Sequence, residues 1–242
     1  MHKQFYIGLT CLIVIATTYA RSQPIITSSD ANTVQTIQIY DPYLTRYKNI
    51  EGSPYLPSET MSNGWIMDGN KRTNTQLRYN SQTGEVEYIQ DKQVMTPKNP
   101  VSEFVIWGPD TLTFKKGFPA VGTWTTNEFY QVLHDGRMTK LVKHIRSDIK
   151  KNTNPMENDF GKERFDTREE YYVWIANAKP PSENYFLKLA DGQMKSVVAS
   201  KKSLVAALPQ QAARIDQYAA DQKVKLKSWS EVAGALRYLD SQ

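Results

Sequence analysis

The chain has 242 residues, with 30 Lys and Arg against 25 Asp and Glu, a formal charge of +5, and one cysteine, Cys11. So mild a basic excess argues against a nucleic-acid partner, and a lone thiol excludes an internal disulfide or a thiolate zinc site. A chain of this length does not need such staples to build a core.

The first element reads as a secretory signal peptide over residues 1–22. Lys3 supplies a positive start, Phe5 to Ala16 is almost purely apolar, and Thr18-Tyr19-Ala20 is a small-residue cleavage site, with Ala20-Arg21-Ser22 as a second. The apolar run is short of the roughly 20 residues that span a bilayer. Cys11 lies inside the apolar core, with Leu12, Ile13, Val14 and Ile15 after it, which does not suit lipid attachment. Cleavage removes Cys11 with Lys3 and Arg21 and leaves 28 basic against 25 acidic side chains, or +3. No later apolar run reaches spanning length, so the mature chain is expected to be soluble, in the periplasm or at the cell surface. Residues 23–33 are polar and short of large side chains and read as a flexible lead-in.

From 34 to 199 the pattern has period two, punctuated by turns. Thr75, Leu77 and Tyr79 alternate with Gln76, Arg78 and Asn80, and Val86 and Tyr88 alternate with Glu85 and Glu87, as in half-buried strands. Asp68-Gly69-Asn70, Ser81-Gln82-Thr83-Gly84, Gly108-Pro109-Asp110, His134-Asp135-Gly136 and Asp191-Gly192 are tight-turn residues. Strands joined so closely are antiparallel. The expected body is a meander of nine to eleven strands, closed as a barrel or folded as a sandwich. Phe104-Val105-Ile106-Trp107, Phe129-Tyr130-Gln131-Val132-Leu133 and Tyr171-Tyr172-Val173-Trp174-Ile175 are apolar on both faces, which implies cover on both sides and helices packed outside the sheet.

The period changes at 200, and 200–242 reads as a helical cap. Ser200 caps a helix carrying Leu204, Val205 and Leu208, and Pro209 opens a second with Ile215, Tyr218 and Ala219. Ser228-Trp229-Ser230-Glu231 is a capping box before Val232, Ala233, Leu236 and Leu239. The fold class is therefore α+β, mainly β.

Few patterns carry chemistry. His134, placed in a turn, and His144, among Lys140, Lys143 and Arg146, lack metal-ligand spacing. Asn152 to Asp159 is oxygen-rich but lacks the ordered ligand spacing and central glycine of a calcium loop. No motif calls for a cofactor. There is no nucleophile elbow, and Ser147-Asp148-Ile149-Lys150 matches S-x-x-K without its companion motifs. Glu103, Asp110, Glu163, Asp166, Glu169 and Glu170 are candidate carboxylates for glycoside chemistry, with nothing to single out a pair.

Two features suggest binding. Residues 137–151 hold Arg137, Lys140, Lys143, Arg146, Lys150 and Lys151 against Asp148, and 157–170 hold six carboxylates against three cations. This reads either as complementary faces of paired strands or as a basic stripe for an anionic polymer. Tyr171, Tyr172, Trp174 and Tyr185 are either packing residues or a sugar-stacking platform. The candidate binding residues are therefore Arg137, Lys140, Lys143, Arg146, Tyr171, Tyr172 and Trp174.

Gly52-Ser53-Pro54-Tyr55-Leu56, the turn at Asp68-Gly69, Leu77-Arg78-Tyr79-Asn80, Glu85-Val86-Glu87-Tyr88, and Phe129 to Gly136 with Leu141 form a longer pattern. With the tail from Lys201-Lys202 through Leu204, Leu208, Ile215, Tyr218, Leu226 and Leu236, it resembles an uncharacterised family of exported β-rich proteins from bacteria with two membranes. Near the C-terminus the pattern has an aromatic pair where this chain has Tyr238-Leu239. The resemblance implies an envelope setting and a β body with helices, and brings no catalytic residues. Three functions stay open: a non-catalytic module binding an envelope polymer or another envelope protein, a carrier of an apolar small molecule, and a glycan-directed hydrolase.

Overall fold

The computed structural model describes residues 25–30, 33–38, 40–43, 45–98, 100–156, 158–177 and 188–241. The signal peptide, Cys11 and Tyr185 lie outside them. β1 (Ile25–Asp30) and β2 (Thr33–Gln38) form a separate antiparallel hairpin, in the stretch whose first part composition marks as a lead-in.

The body is one large sheet. Its strands are β3 (Ile50–Glu51), β4 (Tyr55–Leu56), β5 (Ser62–Asp68), β6 (Lys71–Asn80), β7 (Glu85–Gln90), β8 (Gln93–Met95), β9 (Val101–Ile106), β10 (Leu112–Lys115), β11 (Tyr130–Asp135), β12 (Thr139–Lys151), β13 (Glu163–Ala176) and β14 (Gly192–Val197). The order β14-β13-β12-β11-β10-β9-β5-β6-β7-β8 comprises two meanders, because β9 returns beside β5 rather than beside β8. The expectation of a barrel is therefore corrected: closure requires the end strands to pair, and β14 and β8 do not. The pairing is antiparallel except where β3 runs parallel to β13; β4 lies antiparallel to β6.

Side-chain alternation gives the sheet two functions at its two ends. Ile66, Leu77, Tyr79, Val86, Val101, Phe104, Ile106, Phe114, Phe129 and Ile145 form one core. Its centre is aromatic, with Phe104 stacked on Phe114 at 4.7 Å and Phe129 edge-on to Phe104 at 4.8 Å. At the β11–β14 end, Leu141, Val173 and Val197 face the helices α1 (Lys201–Ala207), α2 (Ala212–Asp221) and α3 (Trp229–Asp240). On the other face of these strands, Val142, Tyr172 and Trp174 pack with Phe118 of the loop 116–129. The two-faced strands at 129–133 and 171–175 are thus covered by helices on one side and by a loop on the other. At β9, Phe104 and Ile106 are buried while Trp107 remains 43% exposed.

The helices start where the caps predict. The Ser200 side chain accepts from the Ser203 amide at 3.1 Å and the Ser228 side chain from the Glu231 amide at 3.3 Å. Glu231 reaches back to the Lys227 amide, one residue before the cap. Pro209 opens a single 3-10 turn ahead of α2. Leu204, Ile215, Leu226, Val232 and Leu236 are almost wholly buried, each contributing about 1.5–3 kcal/mol.

Asp240 ties this cap to the sheet. It accepts from the amides of Met138 (3.0 Å) and Thr139 (3.2 Å), from the Thr139 hydroxyl (2.7 Å), and lies 2.9 Å from His134 Nε2. Burial pushes its carboxyl up, but these hydrogen bonds, led by that of His134, outweigh burial and hold it below the ordinary value. His134, expected in a turn, is buried in β11 at a register shift. Gly136 is required, since a Cβ there would fall 1.7 Å from Asp240 Oδ2.

Candidate functional site

The predicted basic stripe lies mainly on β12, and the alternation of the strand divides it. Lys140 and Arg146 share a face with Trp174, while Lys143 faces the other way, beside Tyr171. Lys140 pairs with Asp135, Lys143 with Glu169 at 2.9 Å, and Arg146 lies 3.7 Å from Asp148. Arg137 is exposed in the β11–β12 turn. Further along, Lys150 pairs with Asp166, and Arg168 with Asp148 at 2.6 Å. Much of the charge asymmetry is thus met by cross-strand pairing.

The aromatics divide in the same way. Tyr171 stacks on Trp229 of α3, rings 3.6 Å apart and 8° from parallel. Tyr172 and Trp174 are buried on the opposite face, where the Trp174 indole donates to the Leu189 carbonyl at 2.7 Å. Tyr171 therefore does not share a platform with the other two. Ser147 and Lys150 also point to opposite faces, and the Ser147 hydroxyl lies in a buried chain with Ser81 and Thr167. Among the described residues, no three His, Cys, Asp or Glu side chains converge as metal ligands.

Three polar constellations emerge that the sequence does not mark. The first is a buried ion cluster: Arg78 donates to Glu87 at 2.8 and 2.6 Å, to Asp41 at 3.2 Å and to the Glu59 carbonyl at 2.6 Å, with its guanidinium 4.0 Å from the Tyr55 ring centre. All three charged side chains are fully buried. Burial raises the Glu87 carboxyl, against the pull of Arg78. This cluster fastens the 40–59 segment onto β6 and β7, and it is sealed from ligand.

The second holds the loop 116–129. Trp124 lies on the His144 ring at 4.0 Å and donates to Glu170 at 2.8 Å, and Tyr172 donates to the same carboxylate. These bonds, that of Trp124 foremost, keep the Glu170 carboxyl below its ordinary value. His144, expected among lysines, is buried between Trp124 and Glu128, and burial lowers its imidazole against the pull of Glu128 and Glu170.

No family model, curated protein or solved structure matches this chain. The third constellation is accordingly judged on its geometry alone.

It is an open cleft of about 270 Å³ at one end of the aromatic core. The buried Val86, Val101 and Phe129 line it together with Thr96, Pro97, Lys98 and Pro100. Gly84, whose φ of +73° suits the tight turn, borders it from the β6–β7 connection. Lys116, directly after β10, is positioned by its amide on the Ser102 carbonyl at 2.8 Å and holds its ammonium 4.1 Å from the Phe129 ring centre. Lys115 pairs with Asp135 and Glu103, whereas Lys116 has no ion-pair partner among the described residues. Burial lowers its amine, with Glu128 and Glu85 acting in the opposite direction from a distance. The sequence marks Phe129 only as a strand residue and Lys116 not at all. A Lys-Lys pair between a strand and a glycine is too common to signal a site.

Proposed function

We propose that this chain is an exported, non-catalytic binding module of the bacterial envelope whose ligand enters the Lys116 cleft. One observation carries the reading: a half-buried ammonium, without an ion-pair partner among the described residues, lies 4.1 Å from the Phe129 ring centre in an open recess. Desolvating an ammonium without pairing it costs free energy, and a ligand that pairs it recovers part of that cost. At about 270 Å³ the cleft falls just under the ~300–1,000 Å³ range of whole small-molecule sites. It suits a small molecule or one unit of a larger ligand. The adjoining core is filled by aromatic rings, which favours this reading over a carrier enclosing an apolar molecule.

The export half rests on the signal-peptide pattern and on the resemblance, and it predicts mature chains beginning at Arg21 or Gln23, read by intact mass of protein recovered outside the cytoplasm. The binding half is tested by amide NMR with a panel of neutral, cationic and anionic fragments. Shifts should concentrate at the amides of residues 84–86, 96, 98, 101, 116 and 129. If no fragment of any charge moves these signals, the reading fails.

A further inference from the structure

From the sheet we infer a second ligand surface: a neutral glycan chain lies across the outer face of β5, β6 and β9, with one sugar ring on Trp107 and hydroxyls on the amides of Asn63, Asn74 and Gln76. This goes beyond the Lys116 cleft and does not rest on it.

Trp107 is singled out by what the other tryptophans do. The indoles of Trp124 and Trp174 donate to Glu170 and to the Leu189 carbonyl, Trp229 stacks on Tyr171, and Trp65 lies under the Arg72 guanidinium at 4.4 Å. Trp107 is 43% exposed and has neither a ring contact nor an indole hydrogen bond among the described residues. Its amide donates to the Asn63 carbonyl at 2.8 Å and carries the β5–β9 ladder one residue past Ile106. The indole is therefore held by the sheet rather than by a free loop. It presents to solvent an uncovered ring whose π face is negative.

Strand alternation selects its neighbours. Asn63 stands opposite Trp107 and Gln76 opposite Asn63, while Trp65 and Asn74 form the next row but one along β5 and β6. The core residues Ile66, Phe104 and Ile106 occupy the reverse face. Asn63 and Asn74 are exposed and Gln76 is half-buried. Gln76 Nε2 donates to Asn63 Oδ1 at 3.3 Å, which orients both amides and leaves the Asn63 N–H donors and the Gln76 acceptor for a ligand. A pyranose ring matches this array, because its C–H face suits the indole and its hydroxyl rim both donates and accepts. A lipid or an aliphatic protein surface would strip water from the amides without replacing their hydrogen bonds. The charge matches as well. Around the face, Lys71, Arg72 and Lys115 stand against Glu59, Asp68, Glu103 and Asp110, a near balance that draws in neither a polyanion nor a polycation.

The test is an amide NMR titration of the full-length mature protein with cellohexaose, chitohexaose, maltohexaose and laminarihexaose, beside the anionic hexagalacturonate. At least one neutral hexamer should bind and shift the amides of residues 63–65, 72–76 and 105–107. Trp107→Ala should weaken that hexamer at least tenfold and Trp107→Phe by less, with thermal melts confirming that each variant folds. Binding by none of the neutral hexamers would overturn the inference, and so would an affinity unchanged in folded Trp107→Ala. Hexagalacturonate binding more tightly than every neutral hexamer would overturn the neutral class. Shifts confined to the residues around Lys116 would overturn this surface and leave the cleft standing, whereas shifts here with a silent cleft would do the reverse.

Discussion

Replacing Arg78 with methionine probes the buried ion cluster. The change keeps much of the side chain's length and removes four hydrogen-bond contacts, two to Glu87 and one each to Asp41 and the Glu59 carbonyl. Both carboxylates have fully buried side chains, so the variant strands two anions without their cation. Removing one partner of a buried pair costs about 3–5 kcal/mol, a large share of the ~5–15 kcal/mol that holds an ordinary domain together. At a urea slope of ~2–3 kcal/mol/M, the midpoint of tryptophan-fluorescence unfolding should fall by about 1–2.5 M. The loss should also depend on pH. Burial already raises the Glu87 carboxyl while Arg78 opposes it, so without Arg78 the folded-state pKa rises further. A raised carboxyl takes up its proton in the folded state first. The deficit is therefore full near pH 8 and narrows as pH falls through that raised value. Glu87→Gln, which leaves Asp41 to balance Arg78, should cost less than Arg78→Met at pH 8. A deficit under about 1 kcal/mol, or one that widens toward acid, would refute a buried, mutually neutralising cluster.

Other predictions follow from close contacts elsewhere. Asp240→Asn weakens the acceptor for two amides, the Thr139 hydroxyl and His134, and should lower stability by about 2–3 kcal/mol; hydrogen exchange in α3 should accelerate before that in β6. Because the Asp240 carboxyl is held below its ordinary value, its contribution is full above the unfolded-state pKa and is lost as pH falls through the folded one, and Asp240→Asn should flatten that acid limb. Gly64→Ala would place a Cβ 2.0 Å from the Val105 carbonyl oxygen, and β5 and β9 should separate at a cost of about 1–3 kcal/mol or more, read from the melting temperature. Trp124→Ala uncovers His144, so its pKa, followed by NMR titration, should rise toward the ordinary range and the loop 116–129 should become sensitive to protease. An unmoved His144 titration would show that Trp124 is not what shields the ring.

The local signals were legible, and the long-range ones were not. Strand alternation, Gly84, and the Ser200 and Ser228 caps each depend on a few neighbouring residues, and each is found in place. Arg78 and Glu87 looked like outward polar positions on half-buried strands. They are buried because Asp41 and the 40–59 segment close over them, and that partner lies 37 residues away from Arg78. His134 sat beside Asp135-Gly136 and read as turn, whereas its place is set by an aspartate 106 residues downstream. The basic run was legible as composition, but its division between two faces appears only when Lys140 and Lys143 are placed on a strand. Lys116 was invisible for the opposite reason: its neighbourhood is assembled from four separate stretches of chain, none distinctive alone.

The clasp at Asp240 bears on the order in which the protein can reach its final form. The amides of Met138 and Thr139 are presented by a turn made long before their acceptor, which follows 102 residues after the first of them. A chain delivered from its N-terminal side holds a nearly complete sheet with one face of Leu141, Val173 and Val197 still bare until α3 arrives. That interval is when the half-built protein is most open to proteases and to chance partners. Loss of Asp240 should therefore lower yield in the cell by more than the equilibrium stability of the purified protein suggests.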